Sequence, residues 1–99
     1  MKIALKNIKD TPRNVMRRLG YAEHFDRLTN QFSFVRRFER ELYPRFHAYV
    51  EERVGELTIN LHLDMKKPSY EGSRAHSGEY DGPLLEKERE RILSLISGF

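Results

Sequence analysis

The sequence contains no cysteine. Disulfides, thiolate nucleophiles and cysteine-type zinc sites are therefore excluded, and the composition fits a reducing compartment. No apolar run approaches the ~20 residues of a membrane span. The opening Met1-Lys2-Ile3-Ala4-Leu5-Lys6 has no apolar stretch of signal-peptide length. The expectation is a cytoplasmic protein without a membrane partner. A dominant charge of one sign is also missing: eighteen Lys and Arg face fifteen Asp and Glu, for a net charge of +3. Low aromatic content, the mark of a disordered chain, does not apply, because six Phe and five Tyr are present.

What is there is one domain's worth of chain. Ninety-nine residues fit a single domain over residues 1–99, since domains commonly run to about 100–150 residues. Twelve of the eighteen cations are Arg, a side chain suited to planar contacts with phosphates and carboxylates.

Periodicity places the elements. Residues 2–8 alternate loosely, with Ile3 and Leu5 on one side, and read as a strand. Thr11-Pro12 opens a helix whose stripe is Val15, Met16 and Leu19, and Gly20 supplies its stop. Residues 21–30, with His24 and Phe25, read as a connection. Residues 32–38 alternate, and Phe32, Phe34 and Phe38 form the expected core stripe. Arg36, Arg37 and Arg40 read as a solvated edge. Asp81-Gly82-Pro83 starts a last helix with Leu84, Leu85, Ile92, Leu95 and Ile96 as its buried face. Glu86–Arg89 and Glu88–Arg91 are expected as i,i+3 pairs on its wet side.

The strongest local signal is a β-hairpin. Arg45–Arg53 and Glu56–Asp64 both alternate strictly, and Val54-Gly55 between them forms a two-residue turn. Such a turn fixes the register. Val50 then faces Ile59, Ala48 faces Leu61 and Phe46 faces Leu63 on the apolar side. The other side pairs Glu51 with Thr58, Tyr49 with Asn60, His47 with His62 and Arg45 with Asp64. Residues 65–82 show no periodicity and form a long irregular loop, a type that is commonly functional or disordered. The resulting order, β-α-β-β-β-loop-α, predicts an α+β fold: a small, mostly antiparallel sheet with two helices packed on one face.

Function is sought on the polar face of the 45–64 hairpin and in the loop that follows. The working expectation is a small binding protein for an anionic partner, a nucleic acid or other polyanion. Arg45, His47, Tyr49, Asn60, His62, Lys66, Lys67, Tyr70, Arg74 and His76 supply the cations, rings and amides that phosphate contact and base stacking use. Acidic Glu51 and Asp64 on the same face count against it, as does the single aromatic ring there. The alternative is a histidine-centred site, binding a divalent metal through His47, His62, Asp64 and His76 or hydrolysing a phosphoester. A plain solvated sheet face is the third reading. His24 is weighed as a loop or partly buried residue rather than a ligand. An open sheet face also permits a homo-oligomer.

The run Tyr43-Pro-Arg-Phe-His47-Ala-Tyr49, with Leu61-His62-Leu63-Asp64, Lys67-Pro-Ser-Tyr70-Glu-Gly72 and Ala75-His76-Ser-Gly-Glu79-Tyr80-Asp-Gly82, resembles a family of short uncharacterised bacterial proteins. The resemblance spans most of the chain and is sharpest over residues 43–82. It implies no activity and assigns no role to any residue.

Overall fold

A computed structural model describes residues 1–65, 78–79 and 81–99. The chain runs β1 (Lys2–Lys6), α1 (Pro12–Arg18), β2 (Ala22–Asp26), β3 (Gln31–Arg37), β4 (Arg45–Arg53), β5 (Glu56–Asp64), β6 (Gly78–Glu79) and α2 (Pro83–Ile96). Five strands form an antiparallel sheet in the order β1-β5-β4-β3-β2, and the short β6 also pairs with β5. The fold is α+β, with both helices serving one face of the sheet.

The hairpin forms with the register that its turn dictates. His47 pairs with His62, Ala48 with Leu61 and Arg45 with Asp64. Gly55 has φ +71°, a conformation that glycine adopts without steric cost. β1 runs along the free edge of β5 from Glu56 to Asn60, and β6 takes the same edge further on, pairing Leu63 with Glu79 and Asp64 with Gly78. β5 is thus paired on both edges, and Leu57, Ile59, Leu61 and Leu63 are all buried.

The core lies between that apolar face and the helices. Ile3 and Leu5 join it from β1, Phe46 and Ala48 from β4, Val15, Met16 and Leu19 from α1, and Leu85 and Ile92 from α2. Thr11 caps α1 by accepting from the Asn14 amide at 3.2 Å. Gly20, at φ +92°, turns the chain out of that helix into β2.

Four local expectations change. Residues 22–26 form an edge strand, pairing Ala22 with Val35 through Asp26 with Gln31. They carry no strand pattern because an edge leaves them largely exposed. Of the phenylalanine stripe, only Phe34 is buried. Phe32 is 57% exposed and packs on Phe25 of the edge strand, and Phe38 is 38% exposed and packs on Phe46. On α2, Leu84 and Leu95 are exposed, whereas Glu88 is 3% exposed and points inward. Arg36 is no solvated edge residue, because it reaches Glu88 at 3.4 Å. Among the described residues, no helix is long and apolar enough to cross a membrane.

Candidate metal centre

The polar face of the sheet is the one away from the helices. Side chains alternate along each strand, so with Ala48 and Leu61 in the core, His47 and His62 emerge on the other side. Their rings lie 4.7 Å apart, centroid to centroid. Asp64 is two residues beyond His62 and stands on the same face.

Asp64 is the hub. Its Oδ2 lies 2.9 Å from His47 Nδ1 and accepts from Arg45 Nε at 3.1 Å, while Oδ1 lies 2.9 Å from His62 Nε2. Burial alone would raise its pKa. The hydrogen bonds from His47 and His62, the charge of His47 and the hydrogen bond from Arg45 outweigh that, and hold the carboxyl well below the usual carboxylate range. Arg45 is oriented from its other side, with its guanidinium 4.6 Å over the Tyr43 ring.

Two residues outside the hairpin complete the cluster. Ser33 is fully buried on β3, and its Oγ is 2.7 Å from His47 Nε2. His24 on β2 places its ring edge-on to His47, 6.1 Å between centroids. Burial, and then the charges of Arg45 and His47, push the His24 imidazole pKa below its ordinary value. Sequence reasoning did not single out Ser33, and it weighed His24 without placing it at this site. The ladder that brings them in, β2 on β3 and β3 on β4, has a register that no two-residue turn announces. His24 is therefore a strand residue rather than a loop residue, and it is partly buried, as its other reading had it. Tyr49 packs its ring 4.8 Å from that of His47.

Of the residues expected to bind, Arg45, His47, Tyr49, Asn60 and His62 share this face, as the β4–β5 register requires. Lys66, Lys67, Tyr70, Arg74 and His76 lie outside the described residues. Of the expected metal ligands, His47, His62 and Asp64 come together, each offering one donor atom within 4.8 Å of the others. His76 again lies outside.

The donor set suits a first-row divalent ion. Two imidazole nitrogens and one carboxylate oxygen match zinc and non-haem iron chemistry, whereas Mg²⁺ and Ca²⁺ favour all-oxygen shells. With bonds of about 2.0–2.1 Å, donors around a tetrahedral ion stand roughly 3.3 Å apart. The 2.9 Å contacts of His47 and His62 go to different oxygens of Asp64, and the three donor atoms spread over as much as 4.8 Å. The contact to the ligating oxygen therefore has to open by less than an ångström, while the widest spacing closes by up to about 1.5 Å. His47 and His62 now face Asp64 through ring nitrogens, so an ion entering between them takes the place of the N–H groups that meet the carboxylate. No protein-family model, curated protein or solved structure matches this chain.

Proposed function

We propose that this protein binds a divalent transition-metal ion through His47, His62 and Asp64, a largely buried cluster on the sheet face away from the helices. The observation that carries the reading is the convergence of both imidazoles on one carboxylate that is already held ionised. Three protein ligands leave at least one coordination position for water or substrate, the arrangement of catalytic rather than structural metal sites. A metal-bound water loses its proton near neutral pH, and the bound ion itself would attract an oxyanion. Hydrolysis of a phosphoester is the chemistry that this combination serves.

The test is uptake of Zn²⁺ by purified wild-type protein and by a His47→Ala, His62→Ala double variant, followed by calorimetry and elemental analysis. One equivalent bound by the wild type and none by the variant supports the reading. Equal uptake, or none by either, sinks it.

A second reading rests on the same face. Arg45, Tyr49 and Asn60 border the cluster, a combination of cation, ring and amide that an anionic partner such as a nucleic acid could contact. It ranks second because Arg45 already commits its Nε to Asp64. Polynucleotide binding that falls steeply with added salt favours this reading. Absence of binding at low salt removes it.

A further inference from the structure

The metal reading leaves one buried hydroxyl unexplained. Ser33 has no exposed surface, yet it lies on the polar side of the sheet. Its Oγ stands 2.7 Å from His47 Nε2 and 3.4 Å from the carbonyl oxygen of His24. His47 is thereby gripped at both nitrogens, by Ser33 on Nε2 and by Asp64 at 2.9 Å on Nδ1.

A neutral imidazole carries one ring proton, on either nitrogen. Without a metal ion, that proton belongs on Nδ1, because the Asp64 carboxylate can only accept. Nε2 then offers a lone pair, and the Ser33 hydroxyl donates to it. With a metal ion on Nδ1, the arrangement must invert. The ring proton leaves Nδ1 and Nε2 gains one, so the imidazole stays neutral. Nε2–H then donates to Ser33 Oγ, and the Ser33 hydroxyl turns to the His24 carbonyl. A hydroxyl can serve both states because it donates and accepts; a backbone N–H or a carbonyl at this place could serve only one. Metal-bound histidines as a rule hold their second ring nitrogen against such an outer partner.

We propose, resting on the metal reading above, that Ser33 is the positioning residue that makes His47 ligate through Nδ1 and lets it exchange tautomers as the ion enters and leaves. The same atom order, serine to imidazole to carboxylate, also describes a nucleophilic triad. The complete burial of Ser33 keeps a substrate carbonyl from its oxygen, and the metal role is the one that its surroundings allow.

The experiment combines affinity with a tautomer readout. Zn²⁺ affinity of wild type and Ser33→Ala is measured by chelator competition, and long-range ¹H–¹⁵N spectra assign the His47 tautomer with and without Zn²⁺. The expected results are a loss of about ten- to a hundredfold in affinity for Ser33→Ala and, in wild type, a change from the Nδ1–H form to the Nε2–H form on adding Zn²⁺. Unchanged affinity in Ser33→Ala overturns the proposal while leaving the metal reading intact. So does Zn²⁺ attachment at His47 Nε2, read in the wild type alone should the variant fail to fold. Covalent labelling of Ser33 by a fluorophosphonate would replace it with the nucleophile reading. No Zn²⁺ binding by wild type removes both the metal reading and this proposal.

Discussion

The Tyr21 hydroxyl donates a 2.6 Å hydrogen bond to Glu88 Oε2, joining residues 67 positions apart in the buried seam between sheet and helices. Glu88 also accepts from Arg91 through Nε at 2.7 Å and Nη2 at 2.8 Å, and from Arg36 at 3.4 Å. Arg91 reaches on to the carbonyl oxygen of Leu19 at the end of α1, 2.6 Å away. One carboxylate thus ties α2 to β3 and to the α1–β2 corner. Removing Glu88 takes the acceptor from the buried Tyr21 hydroxyl and the counter-ion from Arg36 and Arg91, which are each about a third exposed, a loss of about 3 kcal/mol. Glu88→Ala should therefore lower the thermal midpoint by more than about 10 °C. Glu88→Gln, which keeps an acceptor, should cost less. Equal midpoints for wild type and Glu88→Ala would show that the network contributes nothing.

Tyr21 adds a pH dependence of stability. Burial, together with the charge of Glu88 and the hydrogen bond to it, raises the phenol pKa far above its ordinary value. In the unfolded chain a tyrosine ionises near pH 10. Below that pH the stabilisation is fully present, because both states carry the proton. As pH rises past about 10, only the unfolded state releases the proton, and stability falls. Urea unfolding of wild type and Tyr21→Phe between pH 8 and 11 should show a gap that narrows with pH. A gap of constant size would contradict the assignment.

Asp64 gathers three donors, and its loss should be felt with and without metal. Asp64→Ala leaves Arg45, His47 and His62 facing each other with no anion between them. A destabilisation of about 2 kcal/mol is expected at neutral pH. The same variant should show no rise in midpoint on adding Zn²⁺, whereas wild type at about a hundred times its Kd gains about 2.7 kcal/mol. A Zn²⁺ response retained in Asp64→Ala would remove Asp64 from the ligand set.

The turn that sets the hairpin register should tolerate few residues. Gly55 has φ +71°, and a Cβ there would meet nothing within 4 Å. The penalty for a side chain is therefore conformational alone. Gly55→Ala should cost about 1–2 kcal/mol, and Gly55→Asn less, since Asn visits this region more readily. Chemical denaturation of both variants checks the order, and equal costs would point to a steric cause instead.

These residues also show what a sequence discloses. The His47–His62 pairing was legible because a two-residue turn and two alternating strands fix it without reference to the rest of the fold. Ser33 and His24 were not. Their place beside His47 depends on β3 meeting β4 across the irregular stretch 38–44, where no turn chemistry sets the register. The strand at 22–26 stayed hidden because an exposed edge imposes no apolar alternation. Glu88 looked like a surface partner for Arg91, three residues on. Its burial is decided by Tyr21 and Arg36, brought in by tertiary packing that local pattern does not encode.

The two-residue β6 fastens Gly78 to Asp64. The backbone that departs at Met65 thus returns to the strand end that carries the hub carboxylate. Closing an excursion costs only about 0.6 kcal/mol more for each doubling of its length. The number of residues between Met65 and Gly78 therefore bears little on stability, and insertions there should leave the Asp64–Gly78 pairing standing.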